Sequence, residues 1–101
     1  MEKGTPNVQL SVVKGMVAAG KVRTTFTAMQ GALDLGFDAP LLPAMSNVIL
    51  ALDYQDFYKS MTAYHNHSVW HDVYKTVFFG QKIYLKLIVQ DDVLIVSFKE
   101  L

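Results

Sequence analysis

The sequence predicts an α+β domain in which N-terminal helices pack on one face of an antiparallel β-sheet formed mainly by the C-terminal half. Apolar residues recur at helical spacing up to about residue 55, and at a period of two after it. The gaps between the predicted strands are short, which favours hairpins over parallel crossovers. A chain of 101 residues is expected to form one domain over 1–101, because two halves would each have too small a core.

The first predicted helix follows Thr5, which is a suitable N-cap, with Pro6 at the first helical position. Gly20 suits the left-handed position after the helix. The predicted buried face of this helix carries Leu10, Val13 and Val17.

The segment "VRTTF" at 22–26 is typical of a short strand or edge segment. Thr27 followed by Gln30 fits a capping box at the start of a second helix, which Gly36 ends. Pro40 and Pro43 exclude a helix through "APLLP", so a third helix is expected to begin around Pro43 and to end near Asp53. The predicted buried face of the third helix carries Met45, Val48, Ile49 and Leu52.

Four strands are predicted in the second half, with turns at Gly80 and at the pair Asp91–Asp92. Because side chains alternate between the two faces of a strand, parity predicts which of them are neighbours. The predicted strands are 57–64, 69–78, 82–90 and 93–100.

The last two strands predict one apolar face and one polar face. In the predicted strand 82–90, the apolar residues face the core, and Lys82, Tyr84 and Lys86 therefore lie on the polar face. In the second, Ser97 and Lys99 join that face. The predicted core residues are Ile83, Leu85, Leu87 and Val89 in the first strand, and Leu94, Val96 and Phe98 in the second.

The first two strands are less clearly assigned. Taking Trp70, Tyr74 and Phe78 as core residues places His71 and Lys75 on the polar face but Asp72 on the core side. The opposite choice buries His71 and Lys75, and a buried lysine is rarer than an aspartate at an edge. Lys59 shares its side with Phe57 and Met61, so periodicity alone does not assign it.

The net charge argues mildly against a nucleic-acid binder, because nine Lys plus Arg balance nine Asp plus Glu. A neutral chain can still focus positive charge on one face, and such a patch attracts phosphate. The alternative is that these lysines are simply the solvated side of a half-covered sheet.

A metal site is not expected, although His65, His67 and His71 are closely spaced. The chain has no cysteine, and no nearby carboxylate completes a tetrahedral set. We therefore predict neither a metal nor another cofactor. No apolar run is long enough to cross a membrane, and no export signal is evident, so the expected location is the cytoplasm.

Lysine, histidine and tyrosine without a metal suit one reaction, the attack of an RNA 2′-hydroxyl on the adjacent phosphate. That reaction needs a base, an acid, and cations for the charge that builds on the phosphoryl oxygens. Imidazole titrates near neutral pH and suits either proton role. Tyr58 and Tyr84 each sit beside a lysine and suit base stacking, whereas Trp70 is more typical of a core residue.

Several stretches resemble the MqsR family of RelE-like mRNA interferases, the toxins of the MqsR–MqsA toxin–antitoxin system. The resemblance runs nearly end to end and is weakest at 26–55 and 75–82. The stretches are "MEKGTP", "KVRTT", "DFYKSMTAY", "VWHDVY" and "DVLIVSFKE".

The resemblance implies a RelE-like α+β fold and a metal-independent endoribonuclease that cleaves mRNA, free or on the ribosome, at GC-containing sites such as GCU. It also implies an MqsA-like antitoxin as partner. A catalytically weak interaction module that binds an antitoxin and modulates transcription is the alternative. The family's proposed active-site positions fall on Lys59, His71, Tyr84 and Lys99, and we add Arg23, Tyr58, Lys75 and Lys86 as candidate RNA contacts.

One departure from the family pattern concerns the proposed active site itself. The family motif is "WQDVY", and this chain has His71 in place of the glutamine. A glutamine side chain only hydrogen-bonds, whereas a histidine also transfers protons.

Overall fold

The computed structural model describes residues 1–101 and confirms the α+β class. Three helices accompany a six-stranded sheet of order β1-β3-β4-β5-β6-β2, in which all neighbours are antiparallel except β2 and β6. The helices are α1 (Leu10–Ala18), α2 (Phe26–Asp34) and α3 (Leu41–Leu50), with a short 3₁₀ helix at Tyr54–Asp56. The strands are β1 (Glu2–Lys3), β2 (Val22–Thr24), β3 (Phe57–Ala63), β4 (Asn66–Phe78), β5 (Gln81–Val89) and β6 (Val93–Glu100).

The hydrophobic core lies between the three helices and one face of the sheet. A cluster of 16 buried residues joins these elements, so the helices cover this face and leave the opposite one open. The helices contribute, among others, Val13, Val17, Ala28, Ala32, Met45, Val48 and Ile49, and the strands contribute Tyr74, Ile83, Leu85, Leu87, Val93, Ile95 and Phe98.

The predicted start of α1 at Thr5 and Pro6 is wrong, because the helix begins at Leu10 with Gln9 as N-cap. The preceding segment is held against β4 instead. The backbone N–H groups of Asn7 and Val8 donate to the Asp72 carboxylate, at 2.9 and 3.1 Å. These tertiary hydrogen bonds satisfy the two donors outside a helix, so the helix starts after them.

The predicted cap of α2 at Thr27 is also wrong. Thr25 is the N-cap, and its Oγ1 accepts from the backbone N–H of Ala28 at 3.1 Å. Gly36 follows the helix with φ of +88°, as predicted. Helix α3 begins at Leu41, two residues before the predicted start at Pro43. Pro43 lies in the first turn, where its missing N–H has no intrahelical acceptor to lose.

The predicted core set of β6 is wrong for Leu94 and Val96 and correct for Phe98. Val93 and Ile95 are fully buried instead. A β-bulge explains the change, because Lys86 pairs with Ser97 while the next residue, Leu87, pairs with Ile95. The extra residue reverses the parity within the strand.

In β4 the predicted core side is correct, and Asp72 is buried there. Its carboxylate accepts hydrogen bonds from the backbone of Asn7 and Val8 and from the Ser60 hydroxyl. Tyr74 is fully buried on this side, whereas Trp70 and Phe78 are half-buried. The aspartate that parity placed among core residues therefore ties the N-terminal segment to β3 and β4.

Replacing Gly31 by alanine is expected to destabilise the protein. A Cβ atom at this position would lie 1.8 Å from the carbonyl oxygen of Phe98 in β6, so α2 would have to move away from the sheet. Such overpacking costs about 1–3 kcal/mol of unfolding free energy, measured by denaturant titration.

Gly15→Ala in α1 is the control, since nothing lies within 4 Å of its Cβ position. The free energy of unfolding of this control should rise by up to about 1 kcal/mol, because alanine has a higher helix propensity than glycine. Equal effects of the two substitutions would contradict the close approach.

No helix of the structure has the length and apolar character required to span a membrane.

Candidate active site

The open face of the sheet carries the predicted polar residues in two rows across the strands. One row is Lys59, Val73, Lys86 and Ser97, on β3, β4, β5 and β6. The other is Lys75, Tyr84 and Lys99. Since directly paired residues point to the same face, these side chains form one surface. We call it the lysine face and define it as Lys59, His71, Lys75, Tyr84, Lys86 and Lys99.

Lys59 reaches this face through a β-bulge. Phe57 pairs with Tyr74 on the core side, whereas Lys59 pairs with Val73 on the open face. Tyr58 is the extra residue between them and is 49% exposed. The bulge lets Phe57 and Lys59 point to opposite faces although they are two residues apart.

Three lysines of the face lie over tyrosine rings. The Nζ atom of Lys59 is 5.3 Å from the ring centroid of Tyr58. The Nζ atom of Lys75 is 3.6 Å from the ring centroid of Tyr58. The Nζ atom of Lys99 is 5.2 Å from the ring centroid of Tyr84. Cation–π attraction holds the ammonium groups beside flat aromatic surfaces. The face therefore offers cations for phosphates next to rings that can stack on bases.

The lysines are close enough to perturb one another. Burial, and then the positive charges of Lys99 and Lys59, lower the pKa of Lys86 from its usual range. Val73 lies beneath them, fully buried although it faces away from the helices. An anion held among these ammonium groups would relieve their repulsion, so this part of the sheet is a candidate anion site.

His71 lies on β4 opposite Met61 and is half-buried. Burial, and secondarily the charge of Lys86, lower its pKa below the ordinary histidine value of 6.5. The imidazole is therefore mostly neutral at pH 7 and has a free nitrogen lone pair. A neutral imidazole beside cations can accept a proton in that pH range.

Arg23 is not brought together with the other candidates. It lies on the edge strand β2 opposite Leu94, at the other end of β6 from Lys99. Its guanidinium donates to the Asp92 carboxylate through Nε and Nη2, the latter at 3.1 Å. The bidentate pair ties β2 to the β5–β6 turn.

Glu2 was not among the predicted site residues, and the structure adds it to the site. Strand β1 pairs with β3 and places Glu2 opposite Met61, on the open face. Its carboxylate accepts a hydrogen bond from the Lys59 ammonium. This contact lowers the pKa of Glu2 and raises that of Lys59. A two-residue strand is too short to show periodicity, so no pattern could have predicted this pair.

The histidine pair noted in the sequence lies at the β3–β4 hairpin, with both His65 and His67 exposed. The structure contains no group of three or more His, Asp or Glu side chains arranged to hold a metal ion.

Comparison with known proteins identifies the family. Residues 5–100 match the family model described as motility quorum-sensing regulator, toxin of MqsA. The chain belongs to this MqsR toxin family. It is also 52% identical over 100 residues to the mRNA interferase toxin MqsR of Escherichia coli strain K12, an alignment covering 99% of both chains.

Membership of the MqsR family confirms the resemblance found in the sequence. The matched residues span all three helices and strands β2 to β6, so the match includes the strands that form the lysine face. Only β1, with Glu2, lies outside the residues matched by the family model.

Proposed function

We propose that this chain is the toxin of a toxin–antitoxin pair and a metal-independent endoribonuclease that cleaves mRNA at GC-containing sites such as GCU. The relative from Escherichia coli is named an mRNA interferase toxin, and 52% identity over nearly the whole chain supports the same activity here. The observation that carries the mechanism is the clustering of Lys59, Lys86, Lys99, His71 and Tyr84 on the open face.

In the proposed reaction the RNA 2′-oxygen attacks the adjacent phosphorus and the bond to the 5′-oxygen breaks. The proton of the 2′-hydroxyl passes to the base, and the acid gives a proton to the departing 5′-oxygen. The products are a 2′,3′-cyclic phosphate and a 5′-hydroxyl. No oxidant, metal or water is consumed in this step.

His71 is our candidate for the base. Its lowered pKa leaves the imidazole neutral at pH 7, which is the form that accepts a proton. Tyr84 is the candidate for the acid, or alternatively stacks on a base. Tyr84 is directly paired with Lys75 on one neighbouring strand and with Lys99 on the other.

Lys59 and Lys99 are assigned to the phosphate, where they stabilise the charge that develops on its non-bridging oxygens. Cations fixed before the reaction need no reorganisation as that charge grows. Lys86 and Lys75 are assigned to neighbouring backbone contacts. Tyr58 extends the surface beside Lys75 as a platform for a flanking base. Arg23 stays outside this centre because Asp92 holds it.

An MqsA-like antitoxin is the proposed protein partner, since the family description names MqsA as the protein that its toxins pair with. A chain that only bound the antitoxin would be an interaction module, which is the second candidate. The cation cluster favours the nuclease, because antitoxin binding alone does not require a neutral histidine among lysines.

The deciding experiment incubates the purified protein with an RNA that contains several GCU sites, with and without EDTA. Discrete cuts that survive EDTA and leave a cyclic phosphate would support the proposal. A substrate with 2′-deoxyribose at the cleavage position should resist, because it lacks the attacking oxygen. Absence of cleavage, on free RNA and on translating ribosomes, would leave the interaction module.

The pH dependence of cleavage should report His71. If neutral imidazole is the base, kcat/KM rises with pH and levels off, with an apparent pKa below 6.5. His71→Gln restores the family residue. It should remove this rise of kcat/KM at low pH, which is the acid limb of the profile. Lys86→Met should move the limb to higher pH, because the charge that lowers the pKa of His71 is gone. An acid limb unchanged in His71→Gln would show that the histidine is not the base.

A further inference from the structure

We infer that Glu2 is a resident counter-ion of the lysine face, and that an RNA phosphate takes over its place at the Lys59 ammonium when substrate binds. The inference rests on the proposed function, because the phosphate in question is that of the RNA. It assigns to the N-terminal strand a direct role in setting RNA affinity.

Glu2 is held in position by contacts on both sides. Strand β1 pairs with β3 in a register that sets Glu2 opposite Met61 and Lys3 opposite Ser60. The backbone N–H of Thr62 donates to the carbonyl oxygen of Met1 at 2.9 Å. Beyond β1, the Asp72 carboxylate holds the backbone of Asn7 and Val8. The carboxylate of Glu2 is thereby fixed on the open face rather than carried by a free end.

The pairing with Lys59 is distinctive within the molecule. The structure contains two ion pairs, and this is the one that includes a lysine. The Lys59 side chain is 28% exposed, whereas that of Glu2 is 59% exposed. A carboxylate so open to water can leave the ammonium and be solvated at little cost, while Lys59 stays on the face.

A phosphate competes well with Glu2 because it can contact more cations. Lys86 lies between Lys59 and Lys99 in the strand order, and the charges of both act on it. Glu2 sits at the sheet edge next to β3, and Lys59 is the one side chain that donates a hydrogen bond to its carboxylate. A phosphate above Lys86 would face all three ammonium groups. When a phosphate displaces Glu2, one ion pair is therefore replaced by several. The Glu2 carboxylate stays near the bound phosphate and repels it, so its charge weakens RNA binding.

The test is the affinity for a short RNA with one GCU, in which a 2′-O-methyl group replaces the attacking hydroxyl. Glu2→Gln keeps the shape and removes the charge, and should lower Kd about two- to fivefold at low salt, the range typical of exposed charge pairs. The gain should fade near about 1 M salt, where the Debye length is about 3 Å. Glu2→Ala should act in the same direction.

Glu100→Gln is the matched control, because it makes the same change in net charge. Glu100 is exposed on β6 and pairs with Ile83, on the helix side of the sheet. Its substitution should change Kd much less than that of Glu2. In a Lys59→Gln background, the gain from Glu2→Gln should fall to the level of the Glu100 control, since the charge that Glu2 blocks is no longer present.

Three results would overturn the inference: unchanged or weaker binding by Glu2→Gln, an equal gain from Glu100→Gln, or a full gain in the Lys59→Gln background. If the wild-type chain cleaves RNA while Glu2→Gln binds no better, only the inference fails. If the wild-type chain neither cleaves nor binds RNA, the proposed function fails together with it. Thermal unfolding of each variant separates these outcomes from loss of the fold.

Discussion

Lys99→Met is expected to lower kcat for RNA cleavage about 10²- to 10³-fold, the usual effect of removing one group that stabilises a developing oxyanion. Lys99 is exposed on β6, pairs with Tyr84 and has no carboxylate partner. Its ammonium is therefore free to contact phosphate. Methionine keeps most of the stem that packs beside the Tyr84 ring and removes only the charge. Single-turnover cleavage of a GCU substrate gives the rate, and KM should change less than kcat.

Lys14→Met is the control for this charge deletion. Lys14 lies on α1, whose buried residues pack against the helix side of the sheet. The control loses the same unit of charge, so it measures the general effect on RNA attraction, and its kcat should stay close to that of the wild type. Equal losses in the two variants would mean that Lys99 acts only through net charge and takes no part in the transition state.

Asp72→Ala is expected to lower the free energy of unfolding by about 3–5 kcal/mol, because each buried donor left without an acceptor costs about 1–3 kcal/mol. Asp72 is 1% exposed, and its carboxylate accepts hydrogen bonds from two backbone N–H groups and from the Ser60 hydroxyl. Alanine leaves all three donors without this acceptor. Urea titration gives the change in stability.

Asp38→Ala is the matched control, because Asp38 is exposed and should change stability by no more than about 0.5 kcal/mol. The loss in Asp72→Ala should also release the segment before α1. Amide hydrogen exchange at Asn7 and Val8 should accelerate, while exchange in β5 should change only by the global loss of stability. Unchanged protection at Asn7 and Val8 would contradict the role given to the carboxylate.

The class of fold and most of the candidate site were predictable from the amino-acid sequence alone. Apolar side chains alternate in β5 because one face of the strand is buried, and this period of two predicted the buried residues. It also predicted that Tyr84 and Lys86 lie together on the opposite face. The same signal located four strands to within a few residues of their ends. The quoted motifs identified the family before any geometry was known.

Tertiary structure decided what depends on pairing between distant segments. Parity failed in β3 and β6, where bulges at Tyr58 and Val96 add a residue. The bulge at Tyr58 places Lys59 on the lysine face, which periodicity left open. Whether a bulge forms depends on the register in which a strand pairs with its neighbour. That register cannot be predicted from the sequence of one strand alone.

The start of α1 and the pairing of Glu2 with Lys59 were not predicted, because both depend on contacts between segments that are distant in sequence. Asp72 holds Asn7 and Val8 across 64 or more residues of sequence, so hydrogen bonds that a local pattern assigned to a helix went to a buried carboxylate. Local propensities are worth tenths of a kcal/mol per residue, whereas a buried charged hydrogen bond is worth about 1.5–3 kcal/mol. The sequence thus determined which side chains could form the site, and long-range pairing decided which of them meet.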